Sequence, residues 1–311
     1  MAAEIRYIGG EEVHRLMPPG AAREAIADAL RAIGRGDLFG PLRQAVGSGG
    51  EVSLLMPALS PGHVGLKVLH LREENPSRGL PAIVGQMLLW DRGTGELRAV
   101  IDAAALTAVR TAALAGYATR LLAPEGTVRV ALLGAGGQAY DQALALVEAT
   151  GARELIIWNR TEERARALAD RLGRAFAGVA VSVAATPAAA VAGAGAVTLV
   201  TSSPRPLLEA QDLPMAVHLN AMGAYRPDMA ELAPEIIGRS TGVYVDDVAG
   251  ACEEAGDLLQ AAGRGLFRVE EMRDLRAAKG PRQGWTVFKS VGAAIFDLAV
   301  GEAILAAAGT A

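Results

Sequence analysis

The run Val128-Arg129-Val130-Ala131-Leu132-Leu133-Gly134-Ala135-Gly136-Gly137-Gln138-Ala139 decides the fold. It reads as a short apolar strand entering a glycine turn, followed by an alanine-rich helical segment, Tyr140 to Thr150, and a second strand, Leu155 to Trp158. Strand, helix, strand is a βαβ unit. Gly134, Gly136 and Ala139 fit G-x-G-x-x-G/A, in which the first glycine makes the tight turn, the second lets backbone approach a pyrophosphate, and the small third residue packs helix on strand. A merely structural turn would need none of this flanking pattern, so the stretch is read as a dinucleotide-binding unit.

The end of the second strand bears on which dinucleotide. A protein that prefers NAD usually places Asp or Glu there to hold both ribose hydroxyls, and that carboxylate repels a 2′-phosphate. Asn159-Arg160-Thr161 stands there instead, with Arg164 one helical turn beyond Arg160. Two guanidiniums and neutral donors suit a phosphate, so NADPH (NADP+) is expected and NADH remains possible. The plainer alternative has Thr161 capping the helix Glu162 to Leu172, with both arginines solvated.

Downstream, residues 175–204 carry no charge but are rich in Ala, Gly, Ser and Thr and contain Pro187, so they divide into strand, short helix and strand rather than a membrane span. Strands are expected at Val179–Val183, Ala196–Val200, Val217–Asn220 and, as the last, Val243–Val245. In a parallel α/β sheet the strand carboxyl ends line the ligand crevice, so the loops opening at Thr201-Ser202, at Ala221-Met222-Gly223 and at Asp246-Asp247 are where ligands should meet. Asp246 and Asp247 read as helix caps, since neither a histidine cluster nor a third spaced carboxylate accompanies them, and no metal site is expected.

Upstream the character differs. From Gly10 to Gly36 the spacing of Val13, Leu16, Ala22, Ile26, Ala29, Leu30 and Ile33 is helical. Short apolar runs follow at Val52–Met56, Val64–Leu71, Ile83–Trp90 and Leu97–Ile101, the last two joined by the hairpin turn Asp91-Arg92-Gly93-Thr94-Gly95. This half is expected to be mainly antiparallel. A helix runs from Asp102 to Leu122, and Phe288 to Ala308 reads as a long amphipathic helix returning to the first domain. Lys67 sits on the strand face opposite Leu66 and Val68, and spacing alone leaves open whether it faces solvent or does chemistry.

A net charge of −4 in 311 residues, with scattered Lys and Arg, gives no footprint for nucleic acid. Cys252, the single cysteine, rules out an internal disulfide and suits a reducing cytoplasm. The stretch Met1 to Gly10 carries Glu4 and Arg6 and has no apolar core of a secretory signal.

Taken together, Gly65-Leu66-Lys67, Asn75-Pro76 to Gly79-Leu80-Pro81, Leu106-Thr107 with Arg110-Thr111-Ala112-Ala113, the glycine turn, and Phe288-Lys-Ser-Val-Gly292 with Asp297 resemble the ornithine cyclodeaminase/mu-crystallin family nearly end to end. The resemblance implies a Rossmann-type domain, 121–289, beside an α+β substrate-binding and dimerisation domain, 1–120 completed by 290–311, in a homodimer. It implies that Arg43, Met56 and Arg110 meet a small α-imino or α-amino acid, with Lys67 beside the reacting carbon and nitrogen. It also places Arg110, Thr111, Ala135 and Gln138, and then Thr201, Ser202, Met222 and Val291, against the cofactor. Where cyclodeaminases and related alanine dehydrogenases carry an aspartate after Gly-Gly or Gly-Ala, this chain has Gly223-Ala224-Tyr225, its nearest acid being Asp228. That departure resembles the ketimine reductase branch and makes Asp228 a second candidate for proton supply. The expected activity is reduction of a cyclic ketimine such as 1-pyrroline-2-carboxylate or 1-piperideine-2-carboxylate. The alternatives are a cyclodeaminase or alanine dehydrogenase with bound NAD, and a non-catalytic binding protein.

Overall fold

The computed structural model describes residues 5–48, 51–72, 74–81, 83–280 and 283–309; Glu4 and the side chain of Pro76 lie outside what is described. Two compact units divide the chain, Met1–Arg110 with Ala293–Ala311, and Thr111–Gly292. The fold is α/β, a Rossmann-type parallel sheet in one unit and a mixed sheet in the other.

In the first unit, β1 (Arg6–Ile8) leads into α1 (Gly10–Leu16) and α2 (Pro19–Arg35). The sequence suggested one continuous helical pattern here. Pro18 and Pro19 break it, because a proline lacks the N–H to continue α1 and disfavours helical dihedrals at the preceding Met17. Strands β2 (Gln44–Ser48), β3 (Glu51–Leu59), β4 (His63–Leu71), β5 (Ile83–Asp91) and β6 (Leu97–Asp102) complete a sheet of order β1-β6-β5-β4-β3-β2. Among the described residues only the β1–β6 pairing of this sheet is parallel. Helix α3 (Ala103–Leu122) then carries the chain across the boundary between the units.

The second unit opens with β7 (Arg129–Leu133), α4 (Ala139–Thr150), β8 (Glu154–Trp158), α5 (Glu162–Ala175) and β9 (Ala180–Val183). It continues through α6 (Pro187–Val191), β10 (Ala196–Leu199), β11 (Val217–Ala221), α7 (Pro234–Arg239) and β12 (Gly242–Val245). After α8 (Val248–Glu254) and α9 (Gly256–Gly263) come β13 (Arg273–Asp274) and β14 (Trp285–Lys289). The strands lie parallel in the order β13-β12-β14-β11-β10-β7-β8-β9. Both faces are covered: Val130 and Leu132 enter one core, Ala131 and Leu133 the other, which is why β7 reads as an unbroken apolar run. Val243–Val245 is therefore not the last strand. Phe288 and Lys289, assigned to the final helix from sequence, belong to β14 between β11 and β12, and Gly292, with φ 85°, turns the chain before α10 (Ala294–Gly309).

Helix α10 returns to the first unit and lies on β3, β4 and β5. It is apolar nearly all round rather than amphipathic, with Asp297 and Glu302 as its only charges. The approach is close at Gly65, where a Cβ would come within 2.7 Å of Met87 and 2.9 Å of Leu298.

Under the parallel sheet, His218 on β11 donates from Nε2 to Asn220 Oδ1 (3.0 Å) and accepts at Nδ1 from Thr286 (2.9 Å). Asn220 Nδ2 donates to Thr119 and Thr198, which turns its carbonyl oxygen toward the ring. Burial pushes His218 down from 6.5 to about 4. The unfolded chain takes up this proton near its ordinary value and the folded one does not. Stability from this site is therefore complete above pH 6.5 and falls by roughly 3 kcal/mol as pH drops toward 4. Urea midpoints across pH 4 to 7 should show that slope, and His218→Gln should lose it.

Candidate active site

In the first unit, chemistry gathers on the sheet face that α10 covers. Alternation along β4 aims Gly65, Lys67 and Leu69 at that face and leaves Leu66 and Val68 half-exposed, so the facing of Lys67 that spacing left open resolves as burial. Across the strands Lys67 registers with Met56 and Met87, both buried. Its ammonium donates to Asp297 Oδ2 at 2.7 Å and to Thr107 at 3.3 Å. Arg110, one turn further along α3, donates Nε to the other oxygen of Asp297 at 2.9 Å. One carboxylate thus serves two buried cations. Arg110 Nη1 is buried with no partner among the described residues, so an acceptor for it must come from a ligand or water. Burial, opposed by Asp297 and reinforced by Arg110 and the half-buried Arg43, lowers the Lys67 ammonium from 10.5 to about 8.

In the second unit a cleft opens at the carboxyl ends of β7 and β10, where the strand order reverses. Gly134, Ala135, Gly136, Asn159, Arg160, Thr161, Arg164, Thr201 and Ser202 line it together. Gly134 has φ 116°, and a Cβ there would lie 2.6 Å from the Val200 carbonyl oxygen, so only glycine fits the turn. Around Gly136 and Gly137 a Cβ would meet nothing within 4 Å. That open backbone at the start of α4 fits a pyrophosphate. Asn159 also serves its own turn: it accepts from Ala135 N (3.1 Å) and donates one Nδ2 hydrogen to the Thr161 carbonyl (2.8 Å), pinning the turn to the end of β8. Thr161 occupies the N-cap of α5 without a side-chain cap bond, which leaves its hydroxyl to the cleft. Arg160 and Arg164 form no ion pair among the described residues, and no carboxylate occupies the strand end. The donor set fits a dinucleotide.

The family pattern of ornithine cyclodeaminase/mu-crystallin matches residues 11–308. The chain belongs to that family. It is 32% identical over 274 residues to a Delta(1)-pyrroline-2-carboxylate reductase of Bacillus cereus, covering 84% of each chain. It is 34% identical over 254 residues to the ketimine reductase mu-crystallin of Mus musculus, covering 80% of this chain and 78% of that one. A solved archaeal alanine dehydrogenase dimer with bound NAD superposes with a TM-score of 0.89 at 28% identity, covering 98% of this chain and 96% of that one.

Other family positions fall as follows. Met222 and Val291 are buried in the second unit, and Gln138 precedes α4 as its N-cap. Thr111 is buried, and its hydroxyl has no partner among the described residues. Asp228 is exposed and paired with Arg226 at 3.0 Å. Of the two aspartates expected to cap a helix, Asp247 does so through Ala249 N (3.1 Å), whereas Asp246 accepts from Ser290 and Gly292 and ties down the loop after β14. Two acids went unassigned in the sequence. Asp297 carries the signal of one of just two carboxylates in an otherwise apolar helix, and Glu231 sits in a mixed loop that gives none. Among the described residues no group of His, Cys, Asp and Glu could hold a metal ion.

Removing Asp297 leaves Lys67 and Arg110 buried against each other. Asp297→Ala should cost roughly 3–5 kcal/mol in urea unfolding, and Asp297→Asn, which keeps the shape, should still weaken both contacts.

Proposed function

We propose that the protein reduces α-imino acids with a nicotinamide cofactor, NADPH being preferred and cyclic ketimines being the substrates. The observation that carries this is the Lys67–Asp297–Arg110 cluster: a buried guanidinium whose Nη1 has no partner among the described residues, beside an ammonium lowered to about 8. Relatives at 32% and 34% identity bear the names of imine reductases, and the cleft at Gly134 to Gly136 supports the cofactor.

Arg110, with its Nε engaged by Asp297, turns its terminal edge to the substrate carboxylate, where a guanidinium donates two parallel hydrogen bonds. Arg43 adds positive charge to the same region. Met56 supplies an apolar wall beside Lys67. A dinucleotide held at its pyrophosphate by the glycine turn and at its 2′-phosphate by Arg160, Thr161 and Arg164 would supply the hydride to the C=N carbon from its nicotinamide ring. Lys67 holds a proton at Nζ for the nitrogen that becomes an amine, and Asp228 is the second candidate for that role.

Loss of NADPH absorbance with 1-pyrroline-2-carboxylate and 1-piperideine-2-carboxylate tests the reading. No turnover with any imine, and ammonia release from ornithine without net NADPH loss, would overturn it in favour of a cyclodeaminase. Lys67→Met should lower kcat about a hundredfold or more, whereas Arg110→Lys should chiefly raise KM for the imine, keeping charge but losing the fork. Because the acid must be protonated, wild-type activity should fall as pH rises through about 8.

The preference for NADPH rests on the guanidiniums at the end of β8. Arg160→Asp should raise KM for NADPH about tenfold or more while changing KM for NADH far less. Equal effects on both cofactors would count against it.

The dimer is proposed to form through the first unit, where the sheet face away from α10 exposes Val46 and Val84 at 59 and 37%, in one cross-strand row with Ser53 and His70. Light scattering at micromolar concentration should give twice the chain mass of 32.0 kDa, and Val46→Glu with Val84→Glu should shift it toward the monomer.

A further inference from the structure

Glu231 is a fully buried acid in the second unit that none of the reactions above uses. Its Oε1 accepts from the backbone N–H of Thr201 (2.7 Å) and from the Thr201 hydroxyl (2.8 Å), and its Oε2 accepts from the N–H of Gly223 (2.7 Å). Thr201 opens the loop after β10 and Gly223 lies in the loop after β11. A single carboxylate therefore joins two neighbouring strand-end loops at the crevice. The join is tight: a Cβ on Gly223 would fall 2.5 Å from Oε1 and closer still to the Thr201 carbonyl. It also reaches the glycine turn, because Gly134 packs directly on Val200 and Thr201.

The carboxylate is itself held from behind. Asp257 on α9 accepts from the N–H groups of Glu231 (2.7 Å) and Leu232 (2.9 Å), and its other oxygen pairs with the buried Lys289 of β14 at 2.9 Å. Two buried acids thus share one cation. A buried Glu could be replaced by apolar packing if it served only to fill space; here three donors point at it and would be orphaned without an acceptor.

We propose that Glu231 is a positioning residue for the cofactor: it fixes the loops after β10 and β11, and through them the Gly134 turn, in the shape that binds a dinucleotide. This rests on the dinucleotide reading of the cleft. Burial raises the Glu231 carboxyl, with Lys289 opposing and Asp257 reinforcing, and these two are the charged groups that face it. Protonation turns one acceptor into a donor, so loop fixation weakens as pH falls.

The test uses the full chain and NADH, which lacks a 2′-phosphate that would titrate. Glu231→Gln keeps the volume but sets an NH2 against donors, and should weaken NADH in a fluorescence titration about tenfold or more at neutral pH. Wild-type affinity should fall with acidification while that of the variant stays flat, and backbone hydrogen exchange at Thr201 and Gly223 should speed up in the variant. Wild-type affinity and pH dependence in Glu231→Gln, with only thermal stability lowered, would overturn the proposal. Should the variant fail to fold, the wild type decides: exchange at Thr201 and Gly223 that quickens in step with loss of NADH affinity on acidification supports it, and exchange that stays unchanged overturns it. A wild type that binds neither NADH nor NADPH would overturn the dinucleotide reading itself.

Discussion

Asp297 is one carboxylate between two cations, and much of the first unit follows from it. Lys67 could not stay charged on a fully covered sheet face without an anion within hydrogen-bond reach, since burying a lone ammonium costs several kcal/mol. The anion arrives from the far end of the chain on α10, an otherwise apolar helix whose burial places Asp297 where β4 and α3 converge. Its pairing is incomplete by design of number: two cations to one acid leave a local positive excess and an orphan N–H on Arg110. On the proposed function, that excess is what would receive a small carboxylate.

The second unit solves the opposite problem with the same means. Glu231 and Asp257 outnumber Lys289, and their surplus acceptors are consumed by backbone N–H groups of strand-end loops. In one unit the imbalance leaves a buried donor open among the described residues; in the other it is used up in holding a shape.

The sequence made some of this legible and concealed the rest for physical reasons. The β7–α4–β8 unit could be read because strand, glycine turn and helix are contiguous, and the turn tolerates no other residue at Gly134. The strand β14 was hidden because a central strand buried on both faces carries no alternation, and Phe288-Lys289 then looks like the start of the helix that begins five residues later at Ala294. The break at Pro18-Pro19 is masked in the spacing because the apolar pattern continues across it. Lys67 was ambiguous since period two tells which residues share a face but not which face is covered. The resemblance supplied the importance of Lys67 and Arg110, yet the geometry that joins them, both oxygens of Asp297, required tertiary contacts. Asn159 adds a role that spacing does not show, since its amide also ties the glycine turn to the end of β8.

Gly65 marks where α10 presses on the sheet, and that contact has a consequence for biosynthesis. The first unit is discontinuous, interrupted by the whole of the second, so a ribosome delivers its strands early and its closing helix last. Until α10 emerges, Met87 and Leu89 lack their cover and the ammonium of Lys67 lacks its counterion, while every strand of the parallel sheet is already available to pair. The nucleotide-binding unit can therefore complete its core first, as units contiguous in sequence do. The mixed sheet must wait with an open, partly charged face until Ala294–Gly309 follows.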